Sequence, residues 1–415
     1  MLMFVLLSDG AGLTSRQCAT LLSAAGHRVE ALSPENLCLG RLTRHVRAVH
    51  RVPRLGADPV RWLDAALAVA ARRQADLLLP VQEQVTVMSL LRDRIAAAGL
   101  LTAVPDFAAL RRVQDKVSAY RTLARLGLPQ PAASVVTSPD DLVGLGPLPV
   151  FVKTPIGTAS AGVRRIASER DLCRYAARLD GRQPVLVQQP AAGPLAMVQA
   201  VFARGELVAF HACQRVREGA SGAASHKLGL RLPEARAHLV TLGQALNWHG
   251  ALSADVILTA GGPQFIDLNP RLVEPVNAFV SGVDLTGALV EVARSGTAAP
   301  QPDSHPGERT HQGLMAILGA AQGGRRRDVA REVAQSLTRT GSYRHSIEEL
   351  TPARGDLIGA APWVAAALAT LAHPPAWSRF VTSAAGAYSL TPAAWQQLLA
   401  SECFPLSARR PGTSR

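Results

Sequence analysis

The segment SADVILTAGGPQFIDLNPR, residues 253–271, decides how the whole chain is interpreted. Two strand-like apolar runs flank its Gly-Gly dipeptide, which is the pattern of an antiparallel β-hairpin. If the loop is centred on Gly261, Asp255 and Asp267 lie directly opposite each other, with Cβ atoms about 5 Å apart. Asn269, two residues further along, then points to the same face of the sheet.

Such a pair of carboxylates calls for a cation. Two carboxylates that face each other in an apolar sheet repel unless something positive lies between them. Carboxylate and amide oxygens suit Mg²⁺ or Mn²⁺ that holds substrate phosphates. We therefore expect Asp255, Asp267 and Asn269 to be metal ligands. The alternative is that Asp267 and Asn269 are turn or cap residues and that the hairpin register differs by one residue.

A stretch of small residues follows the strand-like run Val150–Lys153. It comprises Gly157, Thr158, Ala159, Ser160, Ala161 and Gly162. Small residues let backbone N–H groups approach phosphate oxygens closely and form an anion-binding loop. The stretch does not end in the Gly-Lys-Ser/Thr of a Walker loop. A flexible hairpin loop is the alternative interpretation.

Only three of the 44 basic residues are lysines, namely Lys116, Lys153 and Lys227. A lysine in a chain that otherwise uses arginine suits a position that needs a compact point charge. Lys116 lies near a predicted helix, and Lys153 directly precedes the glycine-rich stretch. Cations at these two positions can neutralise phosphate charge.

The order of these motifs resembles the ATP-grasp superfamily, in particular its carbamoyl-phosphate-synthase-like domains and their carboxylate-amine ligase relatives. The matching elements are Asp115-Lys116, LGLPQP, PVFVKTP, GTASAGV, VLVQQPAAG and finally ADV with FIDLNPR. The resemblance covers about residues 105–295. It implies a nucleotide held between two α+β lobes, with Lys116 and Lys153 near its phosphates and adenine.

The resemblance also assigns roles to further residues. The inter-lobe hinge, whose backbone usually holds adenine, matches Gln188, Gln189, Pro190 and Ala191. Asp255, Asp267 and Asn269 match the metal ligands, and Arg271 matches a residue that contacts phosphate near the transferred group. Where Asp267 stands the family usually has Glu, and no carboxylate follows Gly193 to contact the ribose.

Arg215 and Lys227 resemble the arginine after a strand and the mobile loop that closes over an acyl-phosphate site. Gly219, Gly222 and Gly229 would give that loop its hinges, and its closure would exclude water. The alternative for Lys227 is the solvated tip of a surface loop.

The remaining sequence predicts the fold class, α/β and α+β. The first hundred residues alternate strand-like and helical runs, which predicts βαβ units. We expect a Rossmann-like pre-ATP-grasp domain at 1–104, a two-lobed ATP-grasp core at 105–297, a linker at 298–311 and a mostly helical C-terminal region at 312–415. The turn Asp9-Gly10-Ala11-Gly12 lacks the third glycine of a dinucleotide fingerprint and is interpreted as a plain tight turn.

Composition narrows the function classes. Hydrophobic residues make up 48% of the chain and charged residues 18%, a globular balance. Since no apolar run is long enough for a spanning helix and the opening segment lacks a basic n-region, we expect no membrane association and a cytoplasmic protein. The net charge of +13 comes from dispersed arginines with 4% aromatics, which favours a basic surface over nucleic-acid binding.

The resemblance implies an enzyme that uses ATP and Mg²⁺ (or Mn²⁺) to activate a small carboxylate as an acyl phosphate. An amine or similar nucleophile would then displace phosphate. The missing carboxylate after Gly193 favours a different class, a catalytically silent ATP-binding module or partner subunit. For the C-terminal region, capping of the substrate cleft and contacts within a homodimer are both hypotheses.

Overall fold

An all-parallel sheet opens the chain in the computed structural model, which describes residues 2–142, 147–158, 161–179, 181, 183–350 and 356–403. Its elements are β1 (Phe4–Leu7), α1 (Leu13–Ala24), β2 (Arg28–Ser33), β3 (Val49–Arg51), α2 (Pro59–Arg73), β4 (Leu77–Leu79), α3 (Val85–Leu90) and α4 (Arg92–Ala97). The strand order is β3-β2-β1-β4. Val5 and Leu7 pack into one core and Leu6 into another, so both faces of the sheet are buried. The Rossmann-like prediction is confirmed.

The chain after Pro105 forms two helices, α5 (Phe107–Gln114) and α6 (Lys116–Arg125). Asp115 breaks the helix because its backbone is extended and its side chain accepts a hydrogen bond from the Ser118 amide at 2.8 Å. The second helix therefore begins at Lys116. Gly127 follows its end with a φ of +65°, a left-handed conformation that favours glycine.

A four-stranded antiparallel sheet forms the first lobe of the middle region. Its elements are β5 (Ala133–Val136), β6 (Val150–Lys153), β7 (Val163–Ile166), α7 (Glu169–Ala176) and β8 (Val185–Gln188). The strand order is β5-β8-β6-β7. Strand β6 has the predicted bounds. The sequence does not reveal β7, because Arg164 and Arg165 interrupt its apolar pattern.

A seven-stranded sheet forms the second lobe. Its elements before the C-terminal region are β9 (Leu195–Ala203), β10 (Glu206–Glu218), β11 (Ala224–Leu230), α8 (Pro233–Ala245), β12 (Gly250–Thr259), β13 (Gly262–Asn269), α9 (Val276–Val280) and α10 (Leu285–Ser295). The order is β13-β12-β9-β10-β11-β14-β15, so the strands of the decisive hairpin form one edge. The last two strands come from the C-terminal region.

The C-terminal region is mostly helical, as predicted. It comprises β14 (Arg309–His311), α11 (Gly313–Gln322), α12 (Arg326–Thr338), β15 (Ile347–Glu348), α13 (Ala361–Ala372), α14 (Trp377–Tyr388) and α15 (Pro392–Cys403). Strand β14 pairs with β11, so the proposed linker 298–311 ends inside the large sheet. In the described part of the chain, no helix combines the length and apolar character that a membrane crossing requires.

Some of these regions share a hydrophobic core with a neighbouring region, whereas others have a core of their own. Residues of β1 share one core with Val201 of the large sheet and Leu289 of α10. Trp395 of α15 joins a second core of the N-terminal domain and lies 5.8 Å from Phe107, centroid to centroid. The antiparallel sheet β5-β8-β6-β7 has a core made of residues of the small lobe alone. The core of the small lobe is therefore separate from the core that joins the N-terminal sheet to the large sheet.

Candidate active site

The hairpin β12–β13 brings Asp255 and Asp267 directly opposite each other, as predicted. Its turn contains two residues, because Thr259 pairs with Gly262, and an unbroken ladder from that turn would place Ile266 opposite Asp255. The register shifts by one residue between Asp255 and Val256, which is a β-bulge. The bulge restores the predicted pairing.

Two lysines lie at this acidic pair. The Nζ atom of Lys116 is 2.8 Å and 3.1 Å from the two carboxylate oxygens of Asp267. The Nζ atom of Lys153 donates to the carbonyl oxygen of Ile266, the bulge residue, at 2.6 Å. The start of α6 and the end of β6 therefore converge on one edge of the large sheet.

The ionisable groups of this site change one another's pKa values. Withdrawal from water and then the charge of Asp267 raise the pKa of Asp255 to about 6. Burial lowers the pKa of Lys153, and neighbouring Lys116 adds to this effect. Burial also opposes the charge of Lys116, but the attraction of Asp267 outweighs it, so the pKa of Lys116 is raised. Opposed shifts of this kind are typical of functional sites.

The donor set fits a Mg²⁺ ion that substrate oxygens help to coordinate. Asp255 and Asp267 share a face, and Asn269, opposite Ser253, lies on that face too. In the described ranges, no group of three or more His, Cys, Asp or Glu residues is arranged to hold a metal ion on its own. Mg²⁺ typically binds to one or two carboxylates and completes its shell with phosphate oxygens and water. The raised pKa of Asp255 reflects the free-energy cost of ionising this carboxyl group, and a bound cation would lower that cost.

The glycine-rich stretch lies beside the lysines. The backbone N–H of Lys116 donates to the carbonyl oxygen of Pro155 at 2.9 Å, which ties α6 to the start of the stretch. A β-carbon at Gly157 would lie 1.9 Å from the carbonyl oxygen of Ala161, so glycine is required there. Thr158 is buried and Gly162 has a φ of +82°. Ala159 and Ser160 lie outside the described residues.

The predicted hinge connects the two sheets. Gln188 ends β8 in the small lobe, and the Gln189 amide donates to the carbonyl oxygen of Ala132 at 2.8 Å. Pro190 and Ala191 then lead towards β9 of the large sheet. The nucleotide roles of these four residues stay predictions.

Arg271 links this site to the N-terminal domain. Its Nε atom is 3.3 Å from the Oε1 atom of Glu83, which follows β4, and Ser253 donates to its carbonyl oxygen at 2.9 Å. Gln114 at the end of α5 also donates to Glu83, at 2.9 Å. The sequence does not single out Glu83, because a lone glutamate after a strand carries no motif.

The expectation of a mobile loop around Lys227 is wrong. Lys227 belongs to β11 and lies directly opposite Arg215 of β10, while the connection between the strands is confined to residues 219–223. The register explains why the segment is a strand, because β11 is hydrogen-bonded on both sides, to β10 and to β14. Gly229 is therefore a strand residue, and the solvated-tip alternative also fails because Lys227 is 2% exposed.

Lys227 is held by two carboxylates from different parts of the chain. Its Nζ atom lies 2.5 Å from Glu274 and 2.7 Å from Glu349. These charges outweigh the effect of burial and raise the pKa of Lys227. Gln312 donates to both carboxylates as well, at 2.5 Å and 2.7 Å. The sequence could reveal little of this cluster, because Glu349 is 122 positions from Lys227.

Lys227 and Arg215 lie at some distance from the acidic pair. Strands β12 and β11 are three strand spacings apart, which is about 14 Å. The guanidinium of Arg215 donates to the carbonyl oxygen of Gly222 at 2.6 Å and lies 3.4 Å from Glu218. Catalytic roles for Arg215 and Lys227 stay predictions, and any such role concerns the part of a substrate that lies far from the metal ligands.

The structure resembles several solved enzymes, although no family model matches the sequence. One is N5-carboxyaminoimidazole ribonucleotide synthetase from Thermus thermophilus, with 18% identity, a TM-score of 0.56 and coverage of 74% of this chain and 81% of that chain. The complex of biotin carboxylase with beta-gamma-ATP from Campylobacter jejuni has 18% identity and a TM-score of 0.57, covering 72% of each chain. L-amino acid ligase from Bacillus licheniformis has 15% identity and a TM-score of 0.55, covering 71% of this chain and 75% of that chain. At these identities the likeness establishes a common fold.

Proposed function

Because the chain has the ATP-grasp fold, we propose that it is a ligase that uses Mg-ATP to activate a carboxylate for attack by an amine or similar nucleophile. The observation that supports this most strongly is the convergence of Asp255, Asp267, Lys116 and Lys153 on one sheet edge. These charges meet beside a glycine-rich loop and between two lobes. A purely structural role would not require two opposed carboxylates.

The first step is phosphoryl transfer. A carboxylate oxygen of the substrate forms a bond to the γ-phosphorus of ATP, and the bond from that phosphorus to the β,γ-bridging oxygen breaks. ADP leaves with the electron pair, and the substrate becomes an acyl phosphate. Such a reaction needs positioning and charge neutralisation more than covalent help from the protein. Lys116, Lys153 and Arg271 are the cations available for this purpose.

The second step forms the product. The nucleophile, for which we propose an amine, bonds to the acyl carbon, and the bond from that carbon to the phosphate oxygen breaks. Phosphate leaves with the electron pair, and the nitrogen gives up its proton. The step needs no nucleophile from the protein, which agrees with the absence of a convincing Ser-His-Asp or Cys-His arrangement in the sequence.

Asp255, Asp267 and Asn269 would hold the metal ion, which on binding would neutralise phosphate charge and help to orient ATP. Asp267 is already paired with Lys116, so the lysine also fixes this carboxylate before any cation arrives. The nucleotide in the similar biotin carboxylase complex supports ATP as the ligand here too. A cytoplasmic location, where Mg-ATP is available, remains part of the proposal.

The test is ADP release from Mg-ATP with a panel of amino acids and small carboxylates, supplied singly and in pairs with amines. We expect one combination to release ADP, and Asp267→Asn to slow that release at least about 100-fold because a charge that stabilises the transition state is lost. Asp93→Asn, at a fully exposed carboxylate, serves as the matched control. ATP binding without ADP release from any pair would favour the silent binding module.

A further inference from the structure

The N-terminal sheet has a topological switch point that faces the candidate active site. In the order β3-β2-β1-β4 the chain moves outward from β1 to β3 and then returns to the other side of β1. Open parallel sheets bind ligands beyond the carboxyl ends of the strands at such a point. Here those ends lead into Asp9, after β1, and into Gln82 and Glu83, after β4. Glu83 in turn contacts Arg271 of the active site.

Asp9 fixes the turn that leads from β1 into α1. One of its oxygens, Oδ2, accepts hydrogen bonds from the amides of Ala11 and Gly12, at 3.1 Å and 2.7 Å, and from the hydroxyl of Ser15 at 2.8 Å. These donors lie at the start of α1, where a helix would usually bind an anion. The turn between β1 and α1 is therefore held by a carboxylate of the protein itself.

Two buried oxygens at the switch point remain without a donor of good geometry among the described residues. They are Oδ1 of Asp9 and Oε1 of Gln82. Asp9 is 1% exposed and Gln82 is 3% exposed, so bulk water does not satisfy them. Both side chains lie against Gly12, where an added β-carbon would lie 3.0 Å from Asp9 Oδ2 and 2.4 Å from Gln82 Nε2. Buried acceptors of this kind call for a ligand that donates hydrogen bonds.

The surrounding charged side chains indicate that this ligand is positively charged. Glu83 has Arg271 as its partner, and Lys227 is shared between Glu274 and Glu349. Carboxylates therefore outnumber cations even before Asp9 is counted. The Glu274 backbone has a φ of 55°, an uncommon conformation for a residue other than glycine, and its amide donates to Thr14 of α1 at 3.2 Å. This strained backbone holds Glu274 towards the N-terminal domain.

Tyr388 at the end of α14 closes the region from the C-terminal side. Burial raises the pKa of Tyr388 to about 12, and its hydroxyl senses the charges of Arg271, Asp9, Glu83 and Glu274. The preceding residue, Ala387, packs against Ala11 in the turn after β1. We call the region formed by Asp9, Gln82, Glu83, Glu274 and Tyr388 the switch-point site.

We propose that the switch-point site binds the ammonium group of the acceptor substrate, so that the nucleophile of this enzyme is a primary amine that enters as a cation and gives one proton to water before its nitrogen attacks. An ammonium group carries donors for Asp9 Oδ1 and Gln82 Oε1 and a charge that offsets the excess of carboxylates. Glu83 connects this site to Arg271, which lies in the predicted phosphate-contacting segment. The proposal rests on the ligase function proposed above.

The test compares two nucleophiles in the full-length protein. Hydroxylamine is small and uncharged at mildly alkaline pH, and it captures an acyl phosphate as a hydroxamate without needing an ammonium site. We expect Asp9→Asn and Gln82→Leu to raise the KM for the primary amine about 10- to 100-fold, because a charge-assisted hydrogen bond is lost. Asp93→Asn, at an exposed carboxylate outside the site, should leave the KM for ATP, the KM for the amine and the rate of hydroxamate formation within about twofold of the wild type. Asn keeps the oxygen that caps the turn, so Asp9→Asn should fold.

Binding provides a second readout that does not depend on turnover. Primary amino acids and putrescine should raise the melting temperature of the wild type, whereas their N-acetyl derivatives and ribose 5-phosphate should not. Asp9→Asn should lose this effect, and Asp93→Asn should retain it.

The outcomes separate the two proposals. If the wild type forms no hydroxamate with any acid, the ligase function fails and binding alone decides the fate of the switch-point site. If hydroxamate forms but Asp9→Asn leaves the amine KM unchanged, the site is wrong while the ligase function stands. Stabilisation by ribose 5-phosphate, or by none of the amines, would also overturn the site and leave the buried oxygens to internal water.

Discussion

Asp255 carries a charge that the metal-free protein holds at an energetic cost. Its pKa is raised from 3.8 to about 6, first by withdrawal from water and then by Asp267. Between these two values the folded protein keeps a proton that the unfolded chain has lost, so the free energy of unfolding falls as the pH rises through this window. Below the window the penalty is absent, and above it the full penalty remains.

We predict that Asp255→Asn stabilises the metal-free protein by about 1–3 kcal/mol above about pH 7 and has little effect below about pH 4, because the amide cannot ionise. Urea unfolding with a chelator present, measured across this pH range, checks the prediction. Added Mg²⁺ should stabilise the wild type more than the variant. An equal effect of the substitution at every pH would contradict the titration of Asp255 as its cause.

Lys227 shows a different balance, because its charge is matched by Glu274 and Glu349. Lys227→Met would leave two carboxylates without their cation in a buried position. We predict a loss of about 3–5 kcal/mol in the free energy of unfolding, measured by urea denaturation near neutral pH.

The control for this prediction is the triple variant in which Lys227→Met is combined with Glu274→Gln and Glu349→Gln. It should recover part of the loss, because no charge then remains uncompensated. A loss as large in the triple variant as in Lys227→Met would point to packing and not to charge.

At the scale of elements, the hairpin β12–β13 shows which features the sequence predicts and which it does not. Alternating apolar residues around a Gly-Gly dipeptide predict the two strands and their turn. The pairing of Asp255 with Asp267 additionally needs the bulge at Ile266, and no residue type in the segment predicts that bulge. Lys153 donates to the carbonyl oxygen of Ile266, so the irregularity is contacted by a residue 113 positions away in the chain.

Strand β11 illustrates the opposite error. Glycine and alanine in the segment EGASGAASHKLG favour a loop when the chain is considered alone. Pairing with β10 on one side and β14 on the other makes the segment a strand, and β14 comes from the C-terminal region. Tertiary partners therefore override a local composition that resembles a hinge.

The glycine-rich stretch gives a prediction of its own. Because a β-carbon at Gly157 would clash with the Ala161 carbonyl, Gly157→Ala should displace the backbone that we propose for phosphate binding. We expect the KM for ATP to rise at least about tenfold while the melting temperature changes little.

Gly323→Ala is the matched control, because its added β-carbon would have no contact closer than 3.6 Å. Steady-state kinetics with varied ATP, run beside thermal unfolding, checks the pair. If Gly157→Ala kept the wild-type KM for ATP, the stretch would not be a phosphate loop.

At the scale of the whole molecule, the cores divide the protein unequally. The N-terminal sheet and the large sheet share one core, while α15 packs against the N-terminal domain. The small lobe, from β5 to β8, has its own core. The sequence predicts the order of these regions but not their mutual packing, because shared cores join residues that are far apart in the chain, such as Val5 and Leu289.

We predict that the small lobe opens independently of the rest, because few apolar contacts tie it to the other lobes. Hydrogen exchange should therefore be faster in strands β5 to β8 than in β9, β10 and β12. Mg-ATP should slow exchange in the small lobe more than elsewhere. The reason is that Lys153 and the glycine-rich stretch, which we propose contact the nucleotide, would join the small lobe to the large sheet through it. Uniform exchange that nucleotide does not alter would contradict this view of the molecule.

The central claim, that this protein activates a carboxylate by phosphoryl transfer from ATP, has a direct isotopic test. The acid identified by ADP release is labelled with ¹⁸O in its carboxylate and converted to product with Mg-ATP and an amine. We predict that one ¹⁸O atom appears in inorganic phosphate and that ADP is the nucleotide product. Transfer of ¹⁸O to AMP with release of pyrophosphate, or no transfer to phosphate at all, would contradict the claim.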